Sequence, residues 1–102
     1  MNQAVRLPDH ALASIDDQLP ANRAELFRIL DLREAIAALS ATDWWSLPEI
    51  SQAPGIRRFT VEAGRTCAGY HLFVGLDAWS VDAGAMVIYH VDIWPDGWPS
   101  PS

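Results

Sequence analysis

Lysine is absent from this chain, and beyond Arg65 arginine is absent too. Nucleic-acid binding rests on neutralising several phosphates with Lys or Arg. A stretch of 37 residues with no such cation is therefore poorly suited to that work. The formal net charge is -6. Through residue 65 seven arginines face nine acids, and beyond it stand only Asp77, Asp82, Asp92 and Asp96. Cysteine is nearly absent as well. A lone Cys67 excludes an internal disulfide framework and fits a reducing compartment. No apolar run approaches the roughly 20 residues of a membrane span. The first residues, Met1 to Arg6, lack the apolar region of a signal peptide. The reading is a cytoplasmic protein with no membrane partner.

What is present is a core. Half of the 102 residues are hydrophobic, enough for one domain without disulfide or metal support. Ala4 to Leu7 alternates as a short strand. Pro8 opens a helix over 9–19 with Leu12, Ile15 and Leu19 at helical spacing and Asp16 and Asp17 turned outward. Pro20 ends it. Asn22 and Glu25 form the pattern of a capping box for a second helix over 22–41. There Ile29, Leu32, Ile36 and Leu39 make the inward stripe, and Arg28, Asp31 and Glu34 face water. From residue 56 the period falls to two. Strands are expected over 56–62, 70–76 and 85–93, joined as an antiparallel meander. Arg57, Phe59 and Val61 share one face of the first, and Arg58, Thr60 and Glu62 the other. The domain then ends near residue 94, and 95–102, with Pro95, Pro99 and Pro101, forms a tail. The fold class is α+β: a short N-terminal strand and an antiparallel helix hairpin packed on a small antiparallel sheet.

Few residues carry recognisable chemistry. His71, His90, Asp92 and Cys67 are acceptable metal donors, but their spacing matches no ligand motif, and no metal or other cofactor is expected. The five tryptophans serve either as core or as anchors of an interface. Trp79, Trp94 and Trp98 fall in loop or tail positions, where binding residues are displayed. With Asp92 they are the candidate partner-binding residues.

The order of elements and several local words resemble the RelE/ParE-type bacterial toxins. Val5-Arg6-Leu7-Pro8-Asp9-His10-Ala11 resembles that family's first strand entering a helix at a proline. Leu19-Pro20 resembles its inter-helix joint. Pro54-Gly55-Ile56-Arg57-Arg58-Phe59 resembles the start of its second strand, and Met86 to Val91 its last. The resemblance spans roughly residues 4–96 and rests on order and hydrophobicity, with no signature word.

The resemblance implies a toxin paired with an antitoxin. In the nuclease branch it implies ribosome-dependent cleavage of messenger RNA, for which Arg57, Arg58 and His90 are the catalytic candidates, with Arg65 a further phosphate contact. Alanine at those three would be expected to leave stability intact. The last strand ends Ile93-Trp94-Pro95-Asp96, where that branch has a basic ending, so an inactive or gyrase-directed member fits better. The acidic balance supports a second reading, a non-catalytic inhibitor or immunity-type protein covering a basic partner. In either reading function runs through a protein partner, with nucleic acid met only through a ribosome or gyrase complex. A homodimer is compatible with both.

Overall fold

The computed structural model describes residues 4–51, 53, 55–77 and 84–97. Strand β1 (Val5–Arg6) leads into helix α1 (Asp9–Gln18). Helix α2 (Ala21–Phe27) runs through a π-helical turn, Arg28–Leu32, into α3 (Arg33–Ser40) without a break. A 3-10 turn at Trp44–Ser46 follows, then β2 (Arg57–Val61), β3 (Gly69–Asp77) and β4 (Ala85–Trp94). The sheet order is β1-β4-β3-β2, antiparallel throughout except that β1 lies parallel to β4. The α+β class and the element order are those expected from the sequence. No helix among the described residues is long and apolar enough to cross a membrane.

The helices cover one face of the sheet and leave the other open. Tyr70, Leu72 and Val74 of β3 point into the core with Met86, Ile88, Val91 and Ile93 of β4. The inward residues of β4 change spacing between Ile88 and Val91. A bulge there pairs Phe73 with His90 and Val74 with Ile88, leaving Tyr89 unpaired. The extra residue lets both halves of the strand keep their apolar side chains inward. It also lays the Tyr89 ring across Gly75, where a Cβ would sit 2.6 Å from the ring.

β1 is too short to pair with all of β4, since it reaches only Met86 and Val87. Side chains of α1 replace the missing strand. Ser14 Oγ accepts from the Val91 amide, Gln18 Nε2 donates to the Val91 carbonyl, and Gln18 Oε1 accepts from the Ile93 amide. Ser14 and Gln18 sit one helical turn apart, so a single helix face satisfies three backbone groups that would otherwise be buried without partners.

The long helix departs from the sequence reading. Its buried residues are Ala24, Phe27, Asp31, Leu32, Ala35 and Leu39, whereas Ile29 is 52% exposed. Ile36, placed in the inward stripe, is only partly buried and packs against the core, as does Phe59. Asp31, expected in water, is 2% exposed. The cause is a hydrogen-bonding demand stronger than the apolar pattern. The Asp31 carboxylate accepts from the Arg65 and Thr66 amides at 2.7 and 2.8 Å and from the Thr66 hydroxyl at 2.5 Å. Turning Asp31 inward turns Ile29 outward. The expected capping box also fails to form: the helix starts at Ala21 behind Pro20, and the Asn22 side chain accepts from the Arg23 amide.

Removing the Asp31 acceptor leaves two loop amides without their partner, at about 1–3 kcal/mol each. Asp31→Ala is therefore expected to lower unfolding free energy in urea by about 3 kcal/mol. Asp17→Ala, on the exposed side of α1, is expected to change it by under about 0.5 kcal/mol.

Candidate functional site

The uncovered face of the sheet gathers the polar and aromatic residues of three strands. Register places Arg58, Phe73 and His90 in one row across β2, β3 and β4. Thr60, His71 and Asp92 form the next row. Trp94 closes the end of the face, its ring edge-on to His71 at 4.7 Å between centroids. The Phe73 ring lies 5.8 Å from His90 and 6.3 Å from His71. The result is a strip of four rings, Trp94, His71, Phe73 and His90, flanked by one guanidinium. Arg58, Thr60, Glu62 and His71 line an open depression of about 750 Å³ beside it.

His71 is the most constrained member. Thr60 Oγ1 and His71 Nδ1 share a hydrogen bond of 2.8 Å. Burial pushes the imidazole below its ordinary 6.5, the Arg58 charge pushes it further down, and Asp92 opposes both. The neutral ring is thus the favoured form at pH 7. Arg58 has no carboxylate partner among the described residues, whereas five of the seven arginines do.

The two neighbouring arginines part company. Arg57 lies on the helix-covered side, as strand alternation requires. Its guanidinium sits 4.6 Å from the Trp44 ring centroid and 5.5 Å from that of Trp45. It donates to the Trp45 and Leu47 carbonyls and pairs with Glu49 at 2.9 Å. Arg57 therefore does not join Arg58 and His90 on the open face. Its side chain is 14% exposed, so the expectation of a harmless alanine substitution at this position is corrected. Arg65 is elsewhere too, paired with Glu34 at 2.7 Å.

Trp94 and Asp92 lie on the open face, while Trp79 and Trp98 fall outside the described residues. Trp44 is core, and its indole donates to the Val74 carbonyl at 2.9 Å. Trp45, which the sequence did not single out, is 67% exposed. Within the expected tail, Arg23 holds the Pro95 carbonyl at 2.7 Å and reaches Asp96 at 3.4 Å. Among the described residues no group of three or more His, Cys, Asp or Glu is arranged to hold a metal ion. Cys67 is buried against Asp31, and burial together with that charge pushes its thiol up to about 11. It is a poor nucleophile there.

Phe73 and Thr60 complete the face around the residues singled out from sequence. Alternation along residues 70–76 puts His71 and Phe73 on the face opposite Leu72 and Val74. The row they make with β2 and β4 needed the register. Compared with protein-family models, with curated proteins and with solved structures, the chain matches none.

Two measurements check this geometry. The His71 imidazole, followed by NMR titration, is expected to have its midpoint below 6.5, to move up in Arg58→Ala and to move further down in Asp92→Asn. Because the folded state disfavours the charged ring, this group's contribution to stability is full above about pH 6.5. It is lost as pH falls through the lowered folded value. In the second measurement, Arg57→Ala is expected to cost about 2 kcal/mol through lost ring stacking and charged hydrogen bonds. Arg58→Ala is expected to stay within about 0.5 kcal/mol of wild type.

Proposed function

We propose that this chain is a RelE/ParE-like toxin component that acts by binding a protein target, with gyrase-type poisoning closer to its chemistry than RNA cleavage. One observation carries the choice between those branches: among the described residues the open face holds one arginine without a carboxylate partner, Arg58, because Arg57 is committed to Trp44, Trp45 and Glu49 on the other side. Phosphodiester cleavage needs cations to hold the phosphate and an acid-base pair close to the reacting oxygens. Arg58 and His90 stand two strand spacings apart, roughly 10 Å, with Phe73 between them. Asp92 and Glu62 add negative charge to the same face. A strip of aromatic rings suits burial in a protein interface, where such residues anchor binding.

The element order and the helix joint at Pro20 support the toxin reading. The charge supports a second: an acidic inhibitor or immunity-type protein whose open face meets a basic partner. Opposite charge would speed that encounter and make it salt-sensitive. Arg58, His90, Asp92 and Trp94 are the residues proposed to contact the partner in either case.

Controlled expression in a bacterial host separates the readings. Growth arrest with messenger RNA left intact on the ribosome is expected. Ribosome-dependent cleavage that is lost in Arg58→Ala and His90→Ala would instead assign a nuclease. Normal growth, together with salt-sensitive binding to a basic protein, would favour the inhibitor reading.

A further inference from the structure

Among the described residues five large apolar side chains are exposed, and three of them, Leu26, Ile29 and Leu30, fall within five residues of one helix. They lie on the side away from the sheet, brought there by the inward turn of Asp31. Glu25 and Arg33 bracket them, one helical turn before Ile29 and one turn after it. Both are exposed, and neither makes an ion pair among the described residues. Eight residues of helix separate the two charges by roughly 12 Å along the axis, too far for them to pair with each other.

We infer that this helix face is the contact between two copies of the chain, packed antiparallel about a twofold axis beside Ile29. The pattern is self-complementary about that residue. A twofold axis between antiparallel helices sets Ile29 against its own copy and brings Glu25 of each chain level with Arg33 of the other. Both unpaired charges are thereby used, twice over, as an isologous interface demands. The same axis keeps Leu26 and Leu30 of both copies on one side. There Leu26 of one chain and Leu30 of the other lie within roughly 3 Å of the same height along the helix. An unrelated partner would need its own matching acid and cation at this spacing, whereas a second copy carries them. A single helix pair stands at the small end of specific interfaces, so the dimer is weak and concentration-dependent. The inference is independent of what the open sheet face binds, because the two surfaces lie on opposite sides of the fold.

Sedimentation equilibrium from roughly 10 µM to about 1 mM covers the range in which weak association of this kind is seen. Wild type is expected to pass from monomer to dimer across it. Glu25→Arg and Arg33→Glu each replace two attractions with two repulsions and are expected to weaken the dimer roughly tenfold or more. The double reversal Glu25→Arg with Arg33→Glu restores opposite charges and is expected to recover wild-type association. Ile29→Asp is expected to leave only monomer. All four variants change exposed positions, and unchanged circular dichroism establishes that they are folded. A wild type that remains monomeric to the highest concentration overturns the proposal. So does a dimer indifferent to the single reversals or to Ile29→Asp, or one that the double reversal fails to restore.

Discussion

The buried carboxylate of Asp31 ties the long helix to the loop before β3. Its oxygens accept the Arg65 and Thr66 amides and the Thr66 hydroxyl, and the Tyr70 hydroxyl donates to its carbonyl at 3.1 Å. These bonds tie the helix layer to the loop that feeds β3. They therefore set where Gly69 begins the central strand, and with it the height of His71 and Phe73 on the open face. Burial and the Asp31 charge both push the Tyr70 hydroxyl up, so it stays protonated as a donor. The loop has little room to adjust. A Cβ on Gly64 would lie 2.7 Å from Cys67 Sγ and 3.3 Å from Asp31 Oδ2. The π-helical turn that carries Asp31 is a form often found at functional sites. Here it has a structural consequence at each end: a polar group turned in, and an isoleucine turned out.

That constraint divides the surface into two regions of different character. The open sheet face is aromatic and weakly charged, with the Arg58 guanidinium, two imidazoles and flanking carboxylates among its described residues. The outer face of the long helix sets Leu26, Ile29 and Leu30 between the exposed charges of Glu25 and Arg33. Neither resembles the continuous basic stripe that holds a nucleic-acid backbone. The loss of Arg57 from the open face follows from the period of a strand, since adjacent residues point to opposite sides. Its place between Trp44 and Trp45 uses its charge for packing.

The strands were legible in the sequence because their period is short and local. Phe59, Leu72, Val74, Ile88 and Val91 all lie on the core side. Even the separation of Arg57 from Arg58 was written in the alternation of residues 56–62. Grouping the two with His90 as catalytic candidates set that alternation aside. The long helix was misread because an aspartate was assigned to water, and only the folded loop supplies the amides that make its burial favourable. Ser14 and Gln18 were unreadable for a similar reason. Their partners are backbone groups of β4, left open by the short β1, more than 70 residues away. The bulge at Tyr89 gave a faint signal in the three-residue step from Ile88 to Val91, which a uniform strand pattern does not produce. Four of the site's members, His71, His90, Asp92 and Trp94, stood out by residue type. Their convergence required the cross-strand register.

The central claim is that the open sheet face is a protein-binding surface. Its most direct measurement is site-specific photo-crosslinking in living cells from a benzoyl-phenylalanine placed at Phe73, which keeps an aromatic ring in the middle of the strip. The same probe at Asp17, on the exposed side of α1, serves as the control. The account predicts a discrete protein adduct from position 73, absent from position 17 and competed by untagged wild-type chain. Adducts to RNA alone from position 73, or identical protein adducts from both positions, would contradict it.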